Sequence, residues 1–401
     1  MTKERNHVVH DGNCARVCPI CGSANSRMVR TIEGSYLGID NDHTIIEHIS
    51  ICNDCGFIFA APTLAEDEFN SYYNDTLPTF EAHESYSVPK RLKVLSDYID
   101  DTKLIAEIGG NAQGEFKEAL MSRCRKYYSF DVNQTANNNS DEEDIPVVDV
   151  LCCYFVMEHI VNINEFIDKW SEHLKDDGIF VVEVPDLNVY YRETNPLCLT
   201  EHVNHFTPES LSLLMLKHGY ETVGFSRFDC SRTFGFVSVF RKTGARSENP
   251  AADRLKLAAV LDGFRLTDGL AAVDEQMLKL NEFAERVDSQ MKQPGRKVLL
   301  WCANDMMREF LDAYEKRFGT FSGLIIDEDK RKADYYRSYK AHTSADAENA
   351  KMLEGITDIY IFSDIRLRVE SVCRTIKERK LQKADICYIS QRWDIIKTDT
   401  D

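Results

Sequence analysis

Apolar residues in this chain fall into two kinds of run, and the alternation between them constrains the fold. Short, nearly unbroken apolar stretches stand at Lys103 to Ile108, Lys126 to Phe130, Val147 to Phe155 and Ile179 to Val184. Runs of that length, bounded by Gly or Asp, predict strands buried on both faces of a parallel sheet. Between them the spacing lengthens to three and four: Leu92, Leu95, Tyr98 and Ile99 follow Pro89, and further helical segments run from Glu115 to Arg123 and from about Asn164 to Leu174. Pro89 suits a first helical turn, where an amide hydrogen has no partner to lose. Asp176-Asp177-Gly178 reads as a turn before the strand at Ile179. Such alternation implies a doubly wound, Rossmann-like α/β sheet with its ligand at the carboxyl ends of the strands.

The pattern changes twice more. Ala251 to Met291 is helical throughout, with Leu255, Leu257, Val260, Leu261 and Phe264 early and Met277, Leu278, Leu280 and Phe283 later. Lys297 to Ala303, Gly323 to Asp327, Ile356 to Phe362 and Asp385 to Ile389 then read as strands of a second, smaller α/β domain. A chain of 401 residues exceeds one core, so several domains are expected. The division is an N-terminal module over 1–68, a sheet domain over 69–245, a helical connector over 246–295 and a Rossmann-like domain over 296–401.

Thirteen cysteines, an odd number in a chain whose first residues lack an apolar leader, argue against a disulfide framework. Cys18-Pro19-Ile20-Cys21-Gly22 and Cys52-Asn53-Asp54-Cys55-Gly56 form two CxxC-G knuckles with thirty residues between Cys21 and Cys52. Each knuckle aims two thiolates at one point, and the glycine lets the backbone turn back toward the sulfurs. Four thiolates close a zinc tetrahedron and leave no site for water, so the Zn2+ is expected to be structural. The competing reading is four core cysteines in accidental register.

The net charge of -18 disfavours a phosphate backbone as partner, which also sets the zinc ribbon's role as folding rather than nucleic-acid reading. No apolar run approaches the about 20 residues of a membrane span, so a cytoplasmic protein is expected.

The loop Ala106-Glu107-Ile108-Gly109-Gly110-Asn111-Ala112-Gln113-Gly114 resembles in part motif I of class I S-adenosylmethionine (SAM)-dependent methyltransferases, E-I-G-x-G-x-G, with Asn111 in place of a glycine as in the E-I-G-x-N-x-G form of sugar C-methyltransferases and a further departure at Gln113. Tyr154 to Ile160 with its Glu158-His159-Ile160, and Leu174 to Pro185, resemble that family's fourth and fifth strands with the turn between them. The resemblance implies that Glu107, Gly109, Gly110, Asn111 and Gly114 cradle SAM while Asp131 holds its ribose hydroxyls. Read from the residues alone, Glu107 is a strand acid capping loop amides and Asp131 a strand-end turn former.

Glu201-His202-Val203-Asn204-His205-Phe206-Thr207-Pro208-Glu209-Ser210-Leu211 resembles the E-H-x-x-x-F-S-x-x-S-L segment of nucleotide-sugar C-methyltransferases, which also carry a four-cysteine zinc module and a second α/β domain. Cys302-Ala303-Asn304-Asp305 departs from the glycine-rich turn usual in that last domain. The resemblance implies a small-molecule substrate, a nucleotide-linked keto sugar. It assigns His202 as the base that removes a proton beside the ketone, Glu201 as its partner, and His159 and Tyr86 as further groups of the pocket. A histidine titrating near neutrality suits that work. His159 could equally be a helix-start residue, Glu201-His202 a surface turn and His205 a core-edge histidine. O- or N-methylation of a sugar or small metabolite, and a non-catalytic zinc-ribbon scaffold, stand as alternatives.

Overall fold

The computed structural model describes residues 8–34, 43–70, 88–109, 115–131, 145–189, 200–227, 235–245, 252–303, 305–328, 339–363, 366–381, 383–390 and 393–398. Its two compact units part between Ala272 and Val273.

The first unit holds two sheets. In chain order its strands are β1 (Val8–Asp11), β2 (Ser26–Gly34), β3 (His43–Cys52), β4 (Ile58–Ala60), β5 (Leu104–Ile108), β6 (Lys126–Phe130), β7 (Val148–Tyr154), β8 (Leu174–Pro185), β9 (Asn204–His205), β10 (Tyr220–Arg227) and β11 (Gly235–Lys242). The helices are α1 (Val88–Leu95), α2 (Glu115–Met121), α3 (Ile163–Glu172) and α4 (Pro208–Lys217). The larger sheet runs β10-β11-β8-β7-β5-β6. Its β5, β6, β7 and β8 are mutually parallel, as their apolar runs predict.

Two expectations need correction here. The sheet is mixed rather than all parallel, because β11 pairs antiparallel with both β8 and β10. β10 and β11 are too close in sequence for a parallel connection, which needs a crossover of a dozen or more residues, so they pair antiparallel and β11 enters the sheet antiparallel to β8. The stretch Asp176-Asp177-Gly178 is a bulge inside β8 and not a turn before it. Pairing with β7 passes from Val148–Leu174 directly to Val150–Ile179, and Asp177 takes up the excess chain at φ 58°.

The smaller sheet is the cysteine module, ordered β1-β3-β4-β9 with β2 on the other side of β3. Its last strand, β9, comes from far along the chain, within the Glu201 to Leu211 segment. Two residues after β9, Thr207 caps α4, its hydroxyl accepting from the Ser210 amide at 3.1 Å. Cys18, Ile20, Cys52, Cys55, Phe57 and Phe206 belong to the same buried cluster as Trp170, Phe180 and Leu214 of the larger sheet and its helices. The cysteine module and the larger sheet therefore share one core.

The second unit has strands β12 (Val298–Trp301), β13 (Leu324–Ile326), β14 (Asp358–Ile361), β15 (Asp385–Ile389) and β16 (Ile395–Lys397), ordered β13-β12-β14-β15-β16. All pairs are parallel except β15 with β16, a short edge strand absent from the sequence expectation. Helices α6 (Asp305–Phe318), α7 (Ser344–Asn349) and α8 (Arg366–Glu378) follow the strands, and α5 (Ala252–Met291) precedes them. From Val273 onward α5 contributes to this unit's core, where Phe283 packs against Phe310, Tyr360 and Phe362.

Candidate active site and metal centre

The four knuckle cysteines converge. Cys18 and Cys55 sulfurs stand 3.4 Å apart, those of Cys21 and Cys52 3.5 Å apart, and all four lie within 4.8 Å of one another. A zinc ion with Zn–S bonds of about 2.3 Å needs sulfur separations of about 3.8 Å, so the quartet fits the metal. Gly22 and Gly56 adopt φ 73° and 76°, and their amides donate to Cys18 and Cys52 carbonyls at 2.8 Å. Asn25 joins the knuckles, its carbonyl accepting from the Asn53 amide at 2.9 Å and its side-chain amide donating to Asp54 at 3.2 Å.

At the carboxyl end of β5, Gly109 turns the chain with φ 72°, and its amide donates to the Phe130 carbonyl at 2.8 Å. That bond sets Asp131, the residue after Phe130, beside the turn. A Cβ at Gly109 would lie 2.3 Å from Val156 Cγ2, so only glycine lets the backbone pass there. Glu107 is buried and accepts the Tyr127 hydroxyl proton. These three residues suit an adenosyl cofactor: a turn without side chain, an acid on the next strand's end, and a third held in place behind them. Gly110, Asn111, Gly114 and Tyr86 lie outside the described residues.

Two residues beyond Val156 stands Glu158, and here the second half of the site assembles. The His159 and His202 rings meet edge to face with centroids 4.9 Å apart, and Glu158, His159 and His202 each offer a donor atom within 4.8 Å of the others. His159 Nδ1 lies 3.1 Å from the Glu201 carbonyl, which can only accept, so Nδ1 carries the proton and Nε2 the lone pair. Burial pushes the His159 pKa down to about 4, which keeps the ring neutral. Burial likewise holds the Glu158 carboxyl well above the usual carboxylate range, helped by Glu183 and Glu201, and its Oε2 finds no partner among the described residues. Glu201 and His202 are 1% and 6% exposed, which rules out a surface turn. His205 is buried too, in the β4–β9 pairing, and burial lowers its pKa to about 3.

A buried ion pair supports the same strand ends. Arg91 on α1 donates to Glu183 Oε2 at 2.7 Å and its guanidinium lies 4.1 Å from the Tyr154 ring centroid. Burial alone would lower the Arg91 pKa, but Glu183, Tyr154 and Glu107 outweigh it and raise it. Arg91 has no place in the sequence reading, yet a signal exists. It stands one turn before Leu95 on the face that packs inward, where a charged residue needs a buried partner.

Residues 80–224 match the family model of a methyltransferase domain. The chain is an enzyme of that type. The matched span holds β5 to β9, and with them the Gly109 turn, Asp131 and the histidine pair. Solved structures similar to the chain include a SAM-dependent methyltransferase from Archaeoglobus fulgidus, at 16% identity over 39% of this chain and 93% of that one, TM-score 0.32. Human N-acetylserotonin methyltransferase in complex with SAM is 17% identical over 44% of this chain and 56% of its own, TM-score 0.33. N-methyltransferase NodS from Bradyrhizobium japonicum, solved with S-adenosylhomocysteine, is 16% identical over 42% and 92%, TM-score 0.31. No curated protein matches the sequence. Among the described residues, no helix is long and apolar enough to cross a membrane.

Proposed function

We propose that the enzyme transfers a methyl group from SAM to carbon on a nucleotide-linked keto sugar. The observation that carries this reading is the juxtaposition at the strand ends: the Gly109 turn touches Val156, and Glu158, His159 and His202 follow directly from it. Cofactor turn and proton-handling groups thus share one edge of one sheet, where ligands of such sheets bind. Glu107, Gly109, Gly110, Asn111 and Gly114 would hold SAM with Asp131 on its ribose, and the cofactor supplies an electrophilic methyl. His202 takes the proton from the carbon beside the ketone and becomes an imidazolium, and the electron pair left on the substrate is the nucleophile. Glu201, one residue away, is the partner of that base. His159 is neutral, and its Nε2 lone pair accepts from a hydroxyl of the substrate, with Tyr86 as a further group of the pocket. The choice of sugar rests on the Glu201 to Leu211 segment and its resemblance to nucleotide-sugar enzymes.

Turnover of a keto-sugar nucleotide in heavy water tests the reaction. Carbon methylation replaces the proton beside the ketone with the methyl group, and reversible removal of that proton puts deuterium into the substrate not yet methylated, whereas O- or N-methylation leaves the proton in place. His202→Ala is expected to abolish turnover with SAM affinity by calorimetry nearly unchanged. Wild-type turnover in that variant would remove the base assignment, and no SAM binding at millimolar cofactor would remove the enzyme reading altogether.

A further inference from the structure

Arg16 lies two residues before the first zinc cysteine, yet its hydrogen bonds go elsewhere. Nη1 donates to the Val203 carbonyl at 2.8 Å, and Nη2 donates to the Val161 carbonyl and to Asn204 Oδ1 at 2.7 Å each, with the Ile160 carbonyl at 3.5 Å. Val203 is the residue after His202, and Ile160 is the residue after His159. One guanidinium thus holds both histidines' loops by the backbone. Phe59 of β4, wholly buried, backs the group from 5.6 Å.

The two loops are already laced together. Val203 and Asn204 amides donate to the Glu158 carbonyl at 2.8 and 3.0 Å, and the Asn204 side-chain amide donates to Met157 and Ile160 carbonyls at 2.9 and 2.8 Å. Arg16 adds to that lacing through the Asn204 oxygen and the carbonyls of both loops, of which that of Val203 also accepts from the Ala60 amide at 2.9 Å. A planar fork with five fixed donors can span them, which a lysine's point charge cannot do fully. The knuckle is anchored beside it, its Pro19 carbonyl accepting from Asn164 and Lys217 at 3.1 and 3.0 Å.

We infer that Arg16 is a positioning residue for methyl transfer, through which the zinc knuckle sets the distance and angle between His159 and His202. The inference rests on the reading that these histidines are the reacting site. It makes the ribbon part of the catalytic scaffold: the metal fixes the knuckle, the knuckle fixes Arg16, and Arg16 fixes the two loops. A displacement of about 1 Å at such a site costs on the order of 100-fold in turnover.

The test uses the full chain with Arg16→Met and Arg16→Lys. Arg16→Met is expected to keep its zinc by metal analysis and to bind SAM within about twofold of wild type by calorimetry. Its kcat for a keto-sugar nucleotide falls about 100-fold with KM little changed, and Arg16→Lys recovers part of that loss. Amide exchange at Val203 and Asn204 accelerates at least tenfold while the β5 and β7 amides keep their protection. Wild-type kcat, or unaltered exchange at those two amides, overturns the inference. Should Arg16→Met shed zinc or fail to fold, Asn204→Ala leaves Arg16 and the quartet in place and must show the same kcat loss, and wild-type turnover in it overturns the inference as well. If the wild-type protein turns over no substrate, the methylation reading fails by itself, and the exchange measurement alone decides whether Arg16 holds the loops.

Discussion

Replacing Gly109 with alanine adds a methyl group where the structure has no room for one, in a backbone conformation that resists it. The turn sits at φ 72°, and the left-handed region costs a residue with a Cβ about 1–2 kcal/mol. The new Cβ would also stand 2.3 Å from Val156 Cγ2, a methyl on a stiff β-branched side chain. Overpacking of that kind costs a further about 1–3 kcal/mol, so the first unit should lose about 2–5 kcal/mol in all. Trp170 reports on that unit by itself once Trp301 and Trp393 of the second unit are changed to Phe, since the chain has three tryptophans. Urea unfolding followed by Trp170 fluorescence gives the loss, and Val156→Ala divides it. In the double variant the steric part disappears and the dihedral part stays, a coupling of about 1–3 kcal/mol in the double-mutant cycle. An alanine at 109 as stable as wild type would refute the left-handed turn, and a coupling near zero would refute the contact with Val156.

Two further outcomes follow from the metal centre and the buried histidines. Purified protein is expected to hold one zinc per chain, lost with the fold of the first unit in Cys52→Ser, because the quartet belongs to that unit's shared core. A second equivalent that vanishes in His159→Gln would instead place an ion on Glu158, His159 and His202. His205, with its pKa lowered from 6.5 to about 3, contributes stability that is present above pH 6.5 and is lost as pH falls toward 3. Over that window the unfolded chain binds a proton that the fold refuses, so stability rises with pH by up to about 1.4 kcal/mol per unit. His205→Asn should flatten the urea midpoint's pH dependence between 4.5 and 6.5, and an unchanged slope would contradict the ring's burial.

What the amino-acid sequence determined by itself is local. Alternating apolar runs of strand and helix length specify β5 to β8 and β12 to β15, and most plainly β5, β7 and β12, because a segment buried on both faces needs apolar side chains throughout and little else, whereas the edge strand β6 is only partly buried. The CxxC-G spacing specifies the metal quartet, because two thiolates and a left-handed glycine suffice to build half a tetrahedron. Long-range pairing was not legible in this way. Nothing in Asn204-His205 signals that it completes the cysteine module's sheet, since a two-residue strand has no periodicity and its partner, β4, lies more than 140 residues earlier. The same holds for Arg16, whose acceptors at Val161 and Val203 are backbone carbonyls that any residue type could supply. Arg91 and Glu183 likewise find each other only when α1 docks on the strand ends. The sequence carries the groups that do chemistry, but their distances depend on one core that joins ribbon and sheet, and only tertiary packing decides that.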